Sequence, residues 1–323
     1  MPLSAAIRAR LQCPYCAGKL LDIQGQFQCD QRACGRVFPL VDGTPVLINE
    51  HRSLFSADDF VRGRDTTARR DQRRIDRLAD AVMEWLPSIS HRAGAGQNYE
   101  SFRTLLRTGG ERSAQVLVVG GGVLGAGMDT LASDTSINLV STDVTFGSMT
   151  ELICDAHDIP FEDATFDGVI AQAVLEHVVD PYRCVSEIHR VMKPGAIVYA
   201  ETPFMQQVHM GAYDFHRFTH SGHRRLFRQF AEIESGPVGG PGMALAWSYQ
   251  YFLLSFSSSR PTRALLRMVA SLSSFYLKYF DRFLVNRRGA IDAASGYYFL
   301  GSKNGAALMD RDLVPYYRGA LAK

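Results

Sequence analysis

Short apolar runs alternate along the middle of the chain with stretches in which apolar residues recur every three or four positions. Val116-Leu117-Val118-Val119 is such a run, and residues 137–141, 166–171 and 196–200 are expected to be further strands. Runs of this kind suit strands buried on both faces of a parallel sheet. Residues 181–192 carry Val185, Ile188 and Val191 on one helical face, and Lys193-Pro194-Gly195 stops that helix. A helix is also expected from the glycines at 120–125 through Leu131. Further strands are expected at 231–236 and 296–303, so the alternation predicts an α/β fold.

The pattern changes at both flanks. Ile75, Leu78, Val82 and Leu86 mark an amphipathic helix that Pro87 ends, and Arg69, Arg70, Arg73, Arg74 and Arg77 give it a basic side. Interleaved Asp58, Asp59, Asp65, Asp71 and Asp76 cancel much of that charge, which favours a solvated face over a nucleic-acid arm. A second short helix is expected over 98–106. About sixty residues separate the last two strands, and they read as two helices, 247–256 and 264–285, crowded with Tyr, Phe and Leu. Such helices could pack as a lid, form a dimer face, or lie on a membrane surface.

Composition mainly excludes. A chain of 323 residues with a net charge of +2 has no global electrostatic drive toward nucleic acid or an anionic membrane. No stretch reaches the ~20 apolar residues of a membrane span, and residues 1–10 lack the apolar core of a secretory signal. A cytoplasmic enzyme is expected, with peripheral contact at the inner membrane surface raised by the apolar insertion.

Four of the six cysteines, Cys13, Cys16, Cys29 and Cys34, crowd into the first 34 residues. Two short-spaced pairs can make a tetrahedral S4 site suited to structural zinc, with no open position for catalysis. A redox disulfide pair and a metal-free ribbon are the other readings. Residues 20–23 and 26–28 suggest two strands about Gln24-Gly25. The segment also resembles the zinc ribbon of the tRNA methyltransferase activator family. The shared pattern is Cys-Pro-x-Cys, a second pair, then Phe38-Pro39-Leu40-Val41-Asp42-Gly43-Thr44-Pro45. The x4 spacing of Cys29 and Cys34 departs from the family's usual x2.

The first strand ends on Gly120-Gly121-Gly122-Val123-Leu124-Gly125, a turn that lets backbone approach a ligand. Taken literally it is also the G-x-G-x-x-G dinucleotide fingerprint. Asp143 follows about 20 residues on, where an acid can accept from ribose hydroxyls of either NAD or S-adenosylmethionine. The run beyond it is more discriminating: Cys154-Asp155-Ala156-His157, Val174-Leu175-Glu176-His177, and Arg190-Val191-Met192-Lys193-Pro194-Gly195.

This succession resembles the class I S-adenosylmethionine-dependent methyltransferases of the type 11 kind. The resemblance implies a Rossmann-like, seven-stranded, mostly parallel sheet with helices on both faces and an antiparallel last strand. It implies S-adenosylmethionine contacts from Gly120, Gly121, Gly122, Asp143, Asp155, Ala156, Ala171, Gln172 and His177, with Tyr99 as a further contact. Val118 departs from the acid usual two residues before the first glycine, and Leu124 stands where a third glycine is common. An NAD(P)-dependent oxidoreductase and a non-catalytic partner-binding protein remain the alternatives.

The acceptor side is expected after the fifth strand, where His209, Asp214 and His216 form a base cluster with Asp214 as orienter. A structural clasp and a metal site are the competing readings of the same residues. A small molecule, glycan or lipid-linked intermediate is the expected acceptor; near-neutral charge opposes RNA. The expected organisation is a ribbon at 1–50, a helical connector at 51–110, a methyltransferase domain at 111–305 with an insertion at about 243–290, and a tail at 306–323. A homodimer is compatible with this layout.

Overall fold

The computed structural model describes residues 3–63, 86–91, 94–107, 113–304 and 307–322. The chain opens with helix α1 (Ala5–Arg8), capped by the Ser4 hydroxyl, which accepts from the Ile7 amide. Strands β1 (Leu20–Ile23) and β2 (Gln26–Cys29) form a hairpin. Its two turn residues, Gln24 and Gly25, have φ of +51° and +83°, the left-handed pair that a tight hairpin turn needs. Strand β3 (Val37–Phe38) joins β2, and β4 (Leu40–Val41) pairs with β5 (Thr44–Pro45).

This N-terminal unit is not a separate bead. Val46 forms a parallel bridge to Ile153, and the Leu47 amide donates to the Ile153 carbonyl at 2.8 Å. Leu11 bridges to Phe161, and the Gln12 amide donates to the Pro160 carbonyl at 3.0 Å. Leu11, Cys13, Phe27 and Leu47 belong to one apolar cluster with Leu152, Cys154 and Phe161. Helix α2 (Ala57–Val61) follows, started by a reciprocal Ser56–Asp59 capping box.

The main body comprises α3 (Ala95–Arg107), β6 (Ala114–Val119), α4 (Asp129–Ala132), β7 (Ile137–Asp143), β8 (Leu152–Ile153), β9 (Phe166–Gln172) and α5 (Pro181–Val191). It continues with β10 (Met192–Pro203), α6 (His220–Leu226), β11 (Ala231–Gly239), α7 (Pro241–Leu254), α8 (Arg260–Ser274), α9 (Leu277–Leu284), α10 (Arg288–Ile291) and β12 (Gly296–Ser302). The sheet order is β11-β12-β10-β9-β6-β7-β8. β12 runs antiparallel to both neighbours and the β10-to-β8 strands are parallel. This is the Rossmann-like, seven-stranded, mostly parallel sheet that the resemblance implied.

Strand periodicity sorts the core into two layers. Leu117, Val119, Val169 and Ala171 face α5, packing with Cys184, Val185, Ile188 and Val191. Val116, Val118, Ile170 and Tyr199 face α3, packing with Tyr99, Phe102 and Leu106. The chain leaves β6 toward β7 on one side and later returns to β9 on the other. That reversal opens a crevice at the carboxyl ends of the central strands.

Three expectations need correction. The helix after the glycines is a single turn, Asp129–Ala132. Gly127 holds φ at +91°, outside the helical region, so the chain cannot enter a helix before it. The insertion has four helices rather than two, the last the single turn α10, and the first begins at Pro241, where Asp281 accepts from the Gly242 and Met243 amides at 2.8 and 3.0 Å. The expected 264–285 helix breaks after Ser274, whose hydroxyl bonds the Ala270 carbonyl at 2.7 Å and competes with the backbone ladder. The basic connector helix centred on Ile75, Leu78 and Val82 falls outside the described residues.

Candidate functional site

A cavity of about 390 Å³ opens at the carboxyl ends of β6, β7 and β9, within the size range of small-molecule and cofactor sites. Gly120 forms its floor with φ of +68°, and a Cβ there would lie 2.3 Å from the Val174 side chain. Only glycine fits that turn. Asp143, at the end of β7, accepts from the Gly122 amide at 2.8 Å and from the Thr145 amide and hydroxyl, each at 2.9 Å. Burial raises its carboxyl above the usual range, only partly offset by these bonds.

The next wall comes from β8 and the loop after it. Cys154, Asp155, Ala156 and His157 line the cavity. Asp155 accepts from the Ser53 hydroxyl at 2.6 Å and pairs with His157 Nδ1 at 2.5 Å. Burial opposes its ionisation, yet the His157 and Ser53 bonds outweigh it and hold the carboxyl below its usual value. Opposite, Ala173 has φ of +54° just past β9, a strained conformation for a residue with a Cβ. It turns the chain into the Val174–His177 segment, whose His177 lines the cavity.

The sequence-derived cofactor set is only partly gathered here. Gly120, Asp143, Asp155, Ala156 and His177 line the cavity. Gly121 and Gly122 stand behind it: a Cβ on Gly121 would meet Val118, and one on Gly122 would meet the Asp143 carboxylate. Ala171 is fully buried inside β9. Gln172 turns away to the Ala126 carbonyl and to Glu201, both at 3.2 Å. Tyr99 is buried against Tyr199, ring centroids 4.7 Å apart, and Val118 packs in that same apolar layer. A larger cavity of about 910 Å³ lies along β11 and α9, away from the glycine turn.

One wall had no sequence signal. Leu54 and Phe55 follow the N-terminal unit and close one side of the cavity. Phe55 stacks on Tyr213, centroids 5.9 Å apart. An isolated apolar pair in an aperiodic stretch says nothing of where the chain returns; the Val46–Ile153 pairing and the Ser53–Asp155 bond deliver it there.

The expected base cluster divides. His209 lines the cavity, and its ring lies 4.9 Å from that of His177. Its Nδ1 is 3.3 Å from the Gln207 carbonyl and 3.4 Å from Asp214. Asp214 also takes the His209 amide at 2.8 Å and is clamped by Arg217. Burial works against its ionisation, but Arg217 and that amide hold the carboxyl down at about 2. His216 lies apart, with Nε2 donating to the Val179 carbonyl at 3.1 Å and its ring stacked on Phe218. Burial lowers His177 below the ordinary histidine value. Helix α7 braces this loop: Gln207 bonds Ser248 at 3.0 Å and Tyr251 bonds the Val208 carbonyl at 2.7 Å.

Cys13, Cys16, Cys29 and Cys34 present sulfurs within 4.8 Å of one another. Cys13–Cys34 is 3.7 Å and Cys16–Cys29 is 3.4 Å, close to the roughly 3.8 Å separation of thiolates around tetrahedral zinc. The Cys34 and Gly35 amides both donate to the Gln31 carbonyl at 2.9 Å, a turn within the longer second spacing that brings the Cys34 sulfur in. The donor set fits zinc.

A family profile described as "Methyltransferase domain" matches residues 119–200. A demethylmenaquinone methyltransferase of Clavibacter sepedonicus is 36% identical over 98 residues, covering 29% of this chain and 35% of that protein. The chloroplastic 2-phytyl-1,4-beta-naphthoquinone methyltransferase of Arabidopsis thaliana is 48% identical over 44 residues, 14% of this chain and 17% of the relative. The similarity thus spans about a third or less of these relatives' own length. A solved phosphoethanolamine N-methyltransferase 2 of Haemonchus contortus, in complex with S-adenosyl-L-methionine, aligns with a TM-score of 0.43 at 16% identity, covering 73% of this chain and 59% of that one. The stretch from the end of β6 through most of β10, which supplies most of the cavity lining, is similar to that methyltransferase domain.

Proposed function

We propose that the protein is an S-adenosylmethionine-dependent methyltransferase acting on a small-molecule, glycan or lipid-linked acceptor, with structural zinc in its four-cysteine cluster. The observation carrying this reading is the 390 Å³ cavity itself, which joins Gly120, Asp143 and Ala156 on one side to His177 and His209 on the other. When bound, S-adenosylmethionine supplies a methyl group activated on a sulfonium. Asp143 would accept from the ribose hydroxyls, trading its present Gly122 and Thr145 partners for the ligand. The Ala156 backbone and Asp155 would border the adenine. His177, His209 and Tyr213 face the remaining volume, where an acceptor must be aligned with the methyl group and shielded from water.

An amphiphilic acceptor is favoured within that class. Phe252, Phe256, Leu272, Phe280 and Phe283 of the insertion are all at least half exposed, and α7 touches the acceptor-side loop directly. No helix among the described residues is long and apolar enough to cross a membrane, so any lipid contact would be lateral. Two of the sequence relatives are named for naphthoquinone and menaquinone methylation, and such apolar ring acceptors fall in the same class. Calorimetric titration with S-adenosylmethionine, S-adenosylhomocysteine and NADH tests the cofactor. Binding of the first two supports the proposal, and tight binding of NADH alone overturns it.

A further inference from the structure

Glu176, His177 and His209 each offer one ligand atom within 4.8 Å of the other two, at the acceptor end of the cavity. What faces what is the informative part. His177 Nδ1 lies 2.8 Å from the Tyr213 carbonyl; a carbonyl only accepts, so Nδ1 carries a proton, and in the neutral ring Nε2 bears the lone pair. His209 Nδ1 faces the Gln207 carbonyl and the Asp214 carboxylate at 3.3 and 3.4 Å, again two acceptors. Its Nε2 is therefore also the lone-pair nitrogen. Both Nε2 atoms point at Glu176 Oε1, from 3.7 and 4.0 Å.

Three electron-pair donors thus converge with gaps too long for direct hydrogen bonds. The geometry points to a divalent transition-metal site formed by Glu176 Oε1, His177 Nε2 and His209 Nε2. Ligand bonds of about 2.1 Å at tetrahedral angles put donor atoms about 3.4 Å apart, so the gaps of 3.7 and 4.0 Å to Glu176 close by about 0.3 and 0.6 Å, and the two imidazoles, within 4.8 Å of each other, by about 1.4 Å at most. Metal-bound histidines characteristically donate their other N–H to a carbonyl or carboxylate, as both do here. Two imidazoles and one carboxylate suit zinc, cobalt, iron or manganese. Three protein ligands leave positions open toward the cavity, where an acceptor oxygen could be held and its proton made more acidic. This site is separate from the four-cysteine cluster.

The inference rests on the proposed acceptor side, but its test does not. Protein holding a single equivalent of zinc, which the four thiolates take first, is titrated with Co2+ in the absence of S-adenosylmethionine, with total metal measured by elemental analysis. One further equivalent is expected, with visible bands of nitrogen and oxygen ligation and no thiolate charge transfer. Glu176→Gln, His177→Asn and His209→Asn should each weaken it by about 100-fold or more, given that even outer partners cost about 10- to 100-fold, while cysteine-bound zinc is retained. Pulsed paramagnetic resonance of Cu2+ bound to the unaltered protein should show two imidazole nitrogens, which covers variants that fail to fold. No added equivalent, or one indifferent to all three substitutions, overturns the site. Failure of S-adenosylmethionine to bind leaves this result standing and removes only the proposed reaction.

Discussion

The Ser53 hydroxyl donates to Asp155 at 2.6 Å, across 102 residues of sequence. That bond joins the stretch leaving the cysteine-rich unit to the wall of the 390 Å³ cavity. Asp155 is held ionised by Ser53 and His157 against the cost of burial. Ser53→Ala should therefore loosen the Asp155 wall at a cost of about 1.5–3 kcal/mol, the scale of a hydrogen bond to a charged group. Thermal melts should show a lower midpoint, and calorimetry a several-fold weaker affinity for S-adenosylmethionine.

Asp143 carries a sharper test. Asp143→Asn keeps the shape but donates where the carboxylate accepted, so it disrupts the Gly122 and Thr145 contacts and any ribose contact. A loss of about 10- to 100-fold in S-adenosylmethionine affinity is expected from charged hydrogen bonds worth about 1.5–3 kcal/mol. Burial raises the Asp143 carboxyl, so affinity in the unaltered protein should fall on acidification before ordinary carboxylates protonate near about pH 4. Calorimetry from neutral to mildly acidic pH checks this; a flat profile would show that Asp143 does not accept from the ligand in its ionised form.

The parts of this fold legible in sequence are those whose signal is local. The apolar runs at Val116–Val119 and Val169–Ala171 announced central strands because burial on both faces leaves no polar position within them. Asp143 and Gly120 were readable because a turn and an acid after consecutive strands must meet at one sheet edge. The walls made by Leu54, Phe55 and Tyr213 were not readable, since they depend on Val46 pairing with Ile153 and on Asp214 clamping Arg217. His209 and His216 looked equivalent in sequence; the His216 bond to the Val179 carbonyl turns that ring away. The pairing of His177 with His209 joins segments 32 positions apart and has no periodicity to betray it.

Removing metal from the four-cysteine cluster should damage more than the ribbon. Leu11, Phe27 and Leu47 share an apolar cluster with Leu152 and Phe161, so ribbon unfolding would uncover the edge of the main sheet. Cys29→Ser is expected to abolish stoichiometric zinc, lower the melting midpoint and weaken S-adenosylmethionine binding together. Elemental analysis and melts on the same sample check the linkage. Loss of zinc with an unchanged midpoint would show that the ribbon folds without metal.

If the acceptor is lipid-linked, the exposed insertion face should meet a membrane. Phe280 and Phe283 are 52% and 72% exposed on α9, so replacing both with Asp should not disturb the core. Co-sedimentation with anionic vesicles should be strong for the unaltered chain and lost in the double variant, with S-adenosylmethionine affinity unchanged. Equal sedimentation of the two, or none for either, removes the lipid reading and leaves a lid or a homodimer face for these helices, which gel filtration separates.

His223 supplies a prediction about stability that is independent of catalysis. It lies fully buried in α6, stacked on Tyr297 at 6.2 Å and edge-on to Phe227 at 5.2 Å. Burial, aided by His220 and Arg224, pushes its pKa down to about 3 from an ordinary 6.5. The unfolded chain therefore binds a proton below about pH 6.5 that the folded chain refuses until about pH 3. The state with fewer bound protons loses ground as pH falls, so folding stability should drop through that window. One such group gives a slope of about 1.4 kcal/mol per pH unit. His223→Leu keeps the site apolar and removes the titration, so its stability should decline less steeply than the parent's between about pH 6.5 and 4.5. Urea denaturation at a series of pH values measures both slopes, and parallel slopes would show that His223 is protonated in the folded state.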